Sequence, residues 1–247
     1  MVGRRTELSY AQAASRAQAV IVNVPIEHAE NVIREIGPLL TAQQLLIDNT
    51  GVKSQVIETM LKSTAAEVLS IHTMFGPHVR DLKGENIIVI HTARSGQMAE
   101  EFENVLHKHG ATLTVTTAAE HDRLATLTQG LEHVISAARM AVIQELAGGP
   151  EALTPFSTPN SRLSMLVDGR IHGGSAELYA TMLGQNRAAL ATLKAFGAQI
   201  DAIIAGLECG DSSRLAELLK ANRARLTDEF VERGTLLTGQ LQDKLRD

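Results

Sequence analysis

The chain has 247 residues, of which 44% are hydrophobic and 21% charged, and its formal net charge at pH 7 is −5. This composition is typical of a globular protein, and the acidic balance argues against nucleic acid as a partner because nucleic-acid-binding surfaces are basic. No run approaches the roughly 20 apolar residues of a membrane span, and residues 1–12 lack the apolar core of a signal peptide. A cytoplasmic location without a membrane partner is therefore predicted. The single cysteine, Cys209, excludes an internal disulfide and a multi-cysteine zinc site.

The first half of the chain alternates between two sequence patterns. Short apolar, β-branched runs predict strands at residues 19–24, 45–48, 68–72, 87–91 and 112–116. Between most of these runs, apolar residues at three- and four-residue spacing predict helices, at residues 27–36, 54–62 and 97–109. Alternating strands and helices indicate an α/β fold with a parallel sheet that is covered by helices on both faces.

From about residue 120 the pattern becomes helical throughout. Helical periodicity dominates residues 123–146, 161–167, 176–207 and 214–241, with glycine-rich breaks between them. We therefore predict two domains, a partial dinucleotide-binding domain at residues 1–118 and an all-helical domain at residues 119–247.

Each of the first three predicted strands ends in a chemically distinctive loop. The loops carry Asn23 and Pro25, then Thr50 and Gly51, and finally His72. Open α/β sheets bind ligands at the carboxyl ends of their strands. A side chain such as that of His72 is therefore placed to face a ligand instead of the core.

Six segments resemble the prephenate dehydrogenase family, in the right order and at the right distances. They are AVIVNVPIEHAENVI, LLIDNTGVKSQVIETM, IHTMFGP, EHDRLATLTQGLEHVISAA, TPNSRLSMLVDGRI and ELYATMLGQNRAAL. The likeness runs from about residue 19 to the helices after residue 207. It implies an incomplete Rossmann-like sheet domain followed by a helical substrate-binding and dimerisation domain. The implied activity is NAD- or NADP-dependent oxidation of prephenate, with loss of carbon dioxide, to 4-hydroxyphenylpyruvate in tyrosine biosynthesis.

The resemblance implies that His72 is the catalytic histidine, which accepts the proton of the substrate hydroxyl. A neutral imidazole can do so at cytosolic pH, and such assistance contributes about 10² to 10⁴-fold in rate. Without the motif, a histidine that caps the strand end by bonding to backbone is the simpler interpretation. The resemblance further implies that Asn23, Pro25 and Thr50 contact the cofactor.

Three other positions match the substrate site of the family. Arg162 is expected to hold a carboxylate of the dicarboxylate substrate with its guanidinium fork, against the alternative of a surface salt bridge. His133 is expected to line the substrate pocket, although a packed helix histidine fits the pattern nearly as well. The adjacent pair His121 and Asp122 is expected to fix the start of a helix, and Lys53 either neutralises a carboxylate or is solvated.

Two substitutions inside the motifs depart from the family. Gly51 stands where the family has a serine whose hydroxyl is expected near the substrate hydroxyl, and Thr73 replaces the proline after the histidine. These changes leave prephenate and its 4-amino-4-deoxy analogue both open as substrates.

The glycine-rich turn that opens a dinucleotide-binding domain has no counterpart in this sequence. We expect either an N-terminally shortened enzyme or a cofactor-free, non-catalytic descendant that binds a small dicarboxylate or a partner subunit. The basic pair Arg4 and Arg5 could meet the 2′-phosphate of NADP or belong to a solvated terminus.

The helical half carries long apolar stripes, at residues 178–183, 190–196 and 200–207. Members of the family dimerise through this domain, so the resemblance implies a homodimer. The alternative is that all of these stripes pack internally.

Overall fold

The computed structural model describes residues 8–76 and 79–244. The chain divides into two compact units, the first comprising residues 1–130 with 177–189 and the second comprising residues 131–176 with 190–247. The predicted domain ranges 1–118 and 119–247 stay predictions. Arg4 and Arg5 lie outside the described residues, as does Pro77 of the histidine motif.

A five-stranded sheet forms the centre of the first unit, with the strands in the order β1-β2-β3-β4-β5. The strands are β1 (Ala19–Val22), β2 (Leu45–Asp48), β3 (Glu67–Thr73), β4 (Asn86–His91) and β5 (Thr112–Val115). The predicted α/β class and all five predicted strands are confirmed, with ends that differ by at most two residues.

The prediction of a sheet that is parallel throughout is wrong for one pair of strands. The pairs β1–β2, β2–β3 and β4–β5 are parallel, whereas β3 and β4 are antiparallel, with His72 opposite Ile88. A parallel pair needs a crossover, usually a helix. The described residues between Thr73 and Asn86 contain no helix that could serve as a crossover. Strand β4 therefore lies beside β3 and runs in the opposite direction.

Helices cover both faces of the sheet because successive side chains of a strand point to opposite faces. On one face Leu46 and Val68 pack with Ile33 and Met60, which belong to α2 (Ile26–Ile36) and α3 (Ser54–Ser63). Strand β2 is buried along its whole length. The predicted burial of both faces is confirmed.

The opposite face packs mainly on α4 (Gln97–Lys108), where Ile47 and Leu69 meet Ala99 and Leu106. The remaining helices of this unit are α1 (Tyr10–Ala14), α5 (Ala118–Ala125) and most of α8 (Ala176–Gln185), and a π-helical turn (Thr126–Gly130) follows α5. Helix α3 contacts β2, β3 and α5, and His121 on α5 contacts His72 near the carboxyl end of β3.

The described part of the second unit is helical. Its helices are α6 (Leu131–Ala147), α7 (Pro159–His172), α9 (Ala189–Glu208), α10 (Ser213–Arg223) and α11 (Asp228–Lys244). The guanidinium of Arg139 on α6 holds the fully buried carboxylate of Asp168 on α7 through two hydrogen bonds, of 2.7 and 2.5 Å. This bidentate ion pair links α6 to α7.

Helix α9 corrects one prediction about membrane spans. Over its 20 residues it is long and apolar enough to cross a membrane, by length and composition alone. Its apolar side chains are largely exposed in the single chain, and Leu190, Ile204 and Leu207 are 64%, 48% and 56% accessible. An apolar face of this size needs a covering surface.

Candidate active site

His72 lies one residue before the end of β3 and is partly buried. Its Nδ1 atom is 2.9 Å from Nε2 of His121 on α5, and the two rings meet edge to face with their centroids 5.1 Å apart. The expectation that His121 and Asp122 fix the start of a helix is wrong for α5, because Thr117 caps that helix by accepting from the Glu120 N–H. Instead, His121 contacts the candidate catalytic histidine.

The carboxylate of Asp122 joins α5 to the first turn of α3. Its Oδ1 atom accepts from the Lys53 N–H at 2.9 Å and lies 3.0 Å from His121 Nδ1, and its Oδ2 atom accepts from the N–H and the hydroxyl of Ser54 at 3.0 and 2.6 Å. Although burial raises the pKa of Asp122, these hydrogen bonds outweigh burial and hold it below its usual range. An ionised carboxylate therefore satisfies N–H groups at the start of a helix that would otherwise lack partners.

A buried ion pair lies beside the same strand end. The side chain of Lys53 is 0% exposed, and its Nζ atom donates to Asp48 Oδ2 at 2.8 Å and to the Ile71 carbonyl oxygen. The Ser70 hydroxyl donates to the same carboxylate at 2.7 Å. Of the two alternatives for Lys53, the structure shows the one in which it neutralises a carboxylate. Burial lowers the pKa of Lys53, while the charge of Asp48 opposes that shift.

These neighbours keep His72 neutral. Burial is the largest cause that lowers its pKa, followed by the charge of Lys53 and by the charge that His121 carries when it is protonated, and the charges of Asp48 and Asp122 oppose them. The pKa falls from 6.5 to about 3. The imidazole is therefore neutral at physiological pH, and one of its two ring nitrogens is available as a proton acceptor.

A strip of polar side chains follows the carboxyl ends of the first three strands. The Asn49 Oδ1 atom accepts from the Thr73 N–H at 3.1 Å, and its Nδ2 atom lies 3.4 Å from Asn23 Oδ1 and 3.3 Å from Thr73 Oγ1. A proline at position 73 would have no N–H to donate. The substitution by threonine therefore fixes the orientation of the Asn49 amide.

Two of the three residues predicted to contact a cofactor line an open groove beside β1. The groove has a volume of about 1090 Å³, and its walls include Tyr10, Asn23, Pro25 and His28. Thr50, the third residue, is buried, and its N–H and hydroxyl bond to Asp48 Oδ1 and to the Val52 carbonyl oxygen within its own loop. These contacts indicate that Thr50 shapes the loop, and its contact with a cofactor stays a prediction.

Gly51 is covered by α8. A Cβ atom added at Gly51 would lie 2.9 Å from the terminal methyl of Met182, closer than carbon atoms approach without displacement. The thioether of Met182 thus fills space that a serine side chain at position 51 would enter.

The other two predicted substrate-binding residues belong to the second unit. Arg162 lies in the first turn of α7, where its N–H donates to the Thr158 carbonyl oxygen at 3.0 Å, and its side chain is exposed. His133 lies on α6 and is partly buried, and burial lowers its pKa while the charge of Glu132 opposes the shift. The substrate-binding roles of Arg162, His133 and Gly51 stay predictions.

Neither the pairing of His72 with His121 nor the part played by Asp48 was predicted from the sequence. The histidines are 49 residues apart, and no local spacing rule joins them. Asp48 offered a weak signal, since it is a charged residue at the end of an otherwise apolar strand run.

Two sequence models of one family match the chain. Residues 3–115 match the prephenate dehydrogenase nucleotide-binding domain, and residues 117–221 match the prephenate dehydrogenase dimerisation domain.

Two curated relatives show the range of similar proteins. The T-protein of Enterobacter agglomerans is 30% identical over 197 residues, which are 80% of this chain and 52% of that protein. The 4-amino-4-deoxyprephenate dehydrogenase of Streptomyces pristinaespiralis is 23% identical over 221 residues, which are 89% of this chain and 74% of that protein. The chain thus spans about half the length of the T-protein.

The fold is shared with a solved structure, prephenate dehydrogenase from Aquifex aeolicus. The two superpose with a TM-score of 0.72 at 14% identity, over 88% of this chain and 80% of the other.

The depressed pKa of His72 predicts how stability depends on pH. Folded protein keeps this group neutral down to about pH 3, whereas an unfolded chain protonates it near 6.5, so the unfolded state binds more protons between these values. The free energy of unfolding should therefore fall as pH is lowered through this window, by at most about 1.4 kcal/mol per pH unit from this group. Urea unfolding of wild type and His72→Asn at about pH 7 and about pH 5 measures it. The variant should lose less stability on acidification, and equal losses would contradict the prediction.

Proposed function

Because the chain belongs to the prephenate dehydrogenase family, we propose that it acts in an NAD(P)-dependent oxidoreductase that decarboxylates prephenate to 4-hydroxyphenylpyruvate in tyrosine biosynthesis. The observation that carries the proposal is the neutral, partly buried imidazole of His72 at the carboxyl end of β3. That edge is where ligands bind in sheets of this kind.

In the proposed reaction His72 is the catalytic base. Its imidazole accepts the proton of the substrate hydroxyl as the ring carbon is oxidised. Lys53 supports this role because its positive charge disfavours protonation of His72 before substrate arrives. The same ammonium donates to the Ile71 carbonyl oxygen, which holds the backbone next to the base.

The groove beside β1 fits part of a dinucleotide. Its volume of about 1090 Å³ is slightly larger than the roughly 300 to 1,000 Å³ that small-molecule sites have, and Asn23 and Pro25 line it at the carboxyl end of the strand. NAD or NADP would supply the hydride acceptor, and the Asn23 amide is the polar group that we assign to holding it. The 4-amino-4-deoxyprephenate dehydrogenase among the relatives is consistent with such a reaction.

For the substrate, we assign Arg162 to a carboxylate and His133 to the lining of the pocket. A guanidinium remains charged at every physiological pH and can bind a carboxylate through two parallel hydrogen bonds. The exposed side chain of Arg162 is accessible to such a ligand.

The 4-amino-4-deoxy analogue is a second candidate substrate, because one contact near the substrate hydroxyl differs from that of the family. Gly51 and the Met182 methyl place apolar atoms where the family has a serine hydroxyl. A hydroxyl or amino group of the substrate at this point would therefore face these apolar atoms and not a serine hydroxyl. The relative from Streptomyces pristinaespiralis is named for that analogue.

We further propose a cytoplasmic homodimer that forms through the second unit. Its exposed apolar residues include Leu146 and Phe156, at 80% and 84% accessible, besides the stripe of Ile200, Ile204 and Leu207 on α9. The matching family model describes a dimerisation domain. A second copy would bury these side chains, and burial of apolar surface stabilises an interface by roughly 25 cal/mol per Å².

Turnover tests the proposed activity. The chain is mixed with prephenate or its 4-amino analogue and with NAD or NADP, and cofactor reduction is followed by absorbance. Wild type should turn over at least one of these pairs. His72→Asn should lower kcat by about 10² to 10⁴-fold, the contribution of general-base assistance, with little change in KM.

His107→Asn, an exposed histidine on α4, is the matched control and should keep wild-type rates. Absence of turnover in wild type, or wild-type kcat in His72→Asn, would contradict the proposal.

Sedimentation tests the homodimer. Wild type should sediment as a dimer at micromolar concentration, and Ile204→Asp should shift the population toward monomer because it buries an unpaired charge in the interface. The control Ala198→Asp introduces the same charge at an exposed residue on the side of α9 that faces away from the stripe of Ile200, Ile204 and Leu207 and should stay dimeric. A monomeric wild type, or an Ile204→Asp dimer as tight as wild type, would be the contrary result.

A further inference from the structure

We infer that His121 and Asp122 form a relay with His72, which fixes the tautomer of the catalytic histidine and receives the charge that it acquires. This inference rests on the proposed function for the role of His72 as a base. His121 is a positioning residue, because it acts on the substrate through His72.

The first step fixes the proton of His121. An ionised carboxylate only accepts hydrogen bonds, and Asp122 already accepts from Lys53 and Ser54. The atom that faces Asp122 Oδ1 at 3.0 Å is His121 Nδ1. This nitrogen must therefore carry the proton, and in a neutral His121 the lone pair lies on Nε2.

The second step fixes the proton of His72. The Nε2 atom of His121 lies 2.9 Å from His72 Nδ1, and one of these two nitrogens has to donate. In the neutral form that we assign to the resting His121, Nε2 holds a lone pair, and His72 Nδ1 is therefore the donor. A neutral imidazole has one N–H and one acceptor nitrogen, and the basic lone pair of His72 is therefore on Nε2.

The third step concerns the charge. When the substrate hydroxyl gives its proton to His72 Nε2, the O–H bond breaks, the new N–H bond forms, and the electron pair stays on oxygen. The Nδ1 proton of His72 can then pass to His121 Nε2. The positive charge ends on His121, bonded to the Asp122 carboxylate.

The charged groups around His72 favour this transfer. Lys53 disfavours a cation on His72, and among its neighbours Asp48 and Asp122 favour one. Asp48 is already neutralised by Lys53 at 2.8 Å, so Asp122 is the carboxylate that remains to stabilise a new cation. That carboxylate contacts His121 directly.

Histidine-selective ¹⁵N NMR on the full chain tests the relay without substrate. In wild type, His72 should carry its proton on Nδ1 and have an unprotonated Nε2. In His121→Phe, which fills the same space without a hydrogen bond, His72 should populate both tautomers. Ser54→Ala is the matched control, because it removes one bond to Asp122 Oδ2, leaves His121 bonded to Oδ1, and should keep the wild-type pattern.

A second variant separates orientation from charge transfer. His121→Gln offers a carbonyl oxygen to His72 Nδ1 but cannot accept a proton, so it should keep the wild-type tautomer and lower kcat, with KM nearly unchanged. His121→Phe should lower kcat further, by about 10²-fold or more. Thermal unfolding should show that both variants are folded. If His121→Phe does not fold, the tautomer and kcat of His121→Gln test the relay.

Three results would overturn the inference. The first is a proton on Nε2 of His72 in wild type, and the second is an unchanged tautomer in folded His121→Phe. The third is wild-type kcat in His121→Gln, which would show that His121 does not receive the charge. If wild type does not turn over but shows the expected tautomer, the proposed function fails in this chain while the hydrogen-bond relay stands.

Discussion

The Asp122 carboxylate is the group on which the candidate site depends. It comes from α5, yet it accepts from the backbone at the start of α3 and contacts His121. One charge thereby ties two helices together and orients the histidine that contacts His72. Because a buried carboxylate has to be bonded on both oxygens, the helix positions and the imidazole orientation are set by the same requirement.

A second constraint is the ion pair of Lys53 with Asp48 beside the strand ends. Removing one partner of a buried pair typically costs about 3 to 5 kcal/mol, since the other charge is left bare. Lys53 also donates to the carbonyl oxygen of Ile71, the residue before His72. Stability and reactivity are therefore coupled, because the cation that holds the end of β3 also keeps the neighbouring imidazole neutral.

The strands and most of the helices could be predicted because hydrophobic periodicity is local. The direction of β4 could not, since strand pairing depends on contacts distant in sequence. The position of His72 at a strand end was predictable, whereas its partner His121 comes from a helix 49 residues later. The role of Thr73 in orienting Asn49 depends on an N–H that only the folded loop brings to the amide.

The central claim is that the surroundings of His72 keep its imidazole neutral. An NMR titration of His72 in the folded chain measures this directly, with ring resonances assigned by comparison with His72→Asn. The account predicts that the ring shifts stay unchanged from neutral pH down to at least about pH 5, consistent with a pKa of about 3. A midpoint near 6.5, the value of an unperturbed histidine, would contradict it.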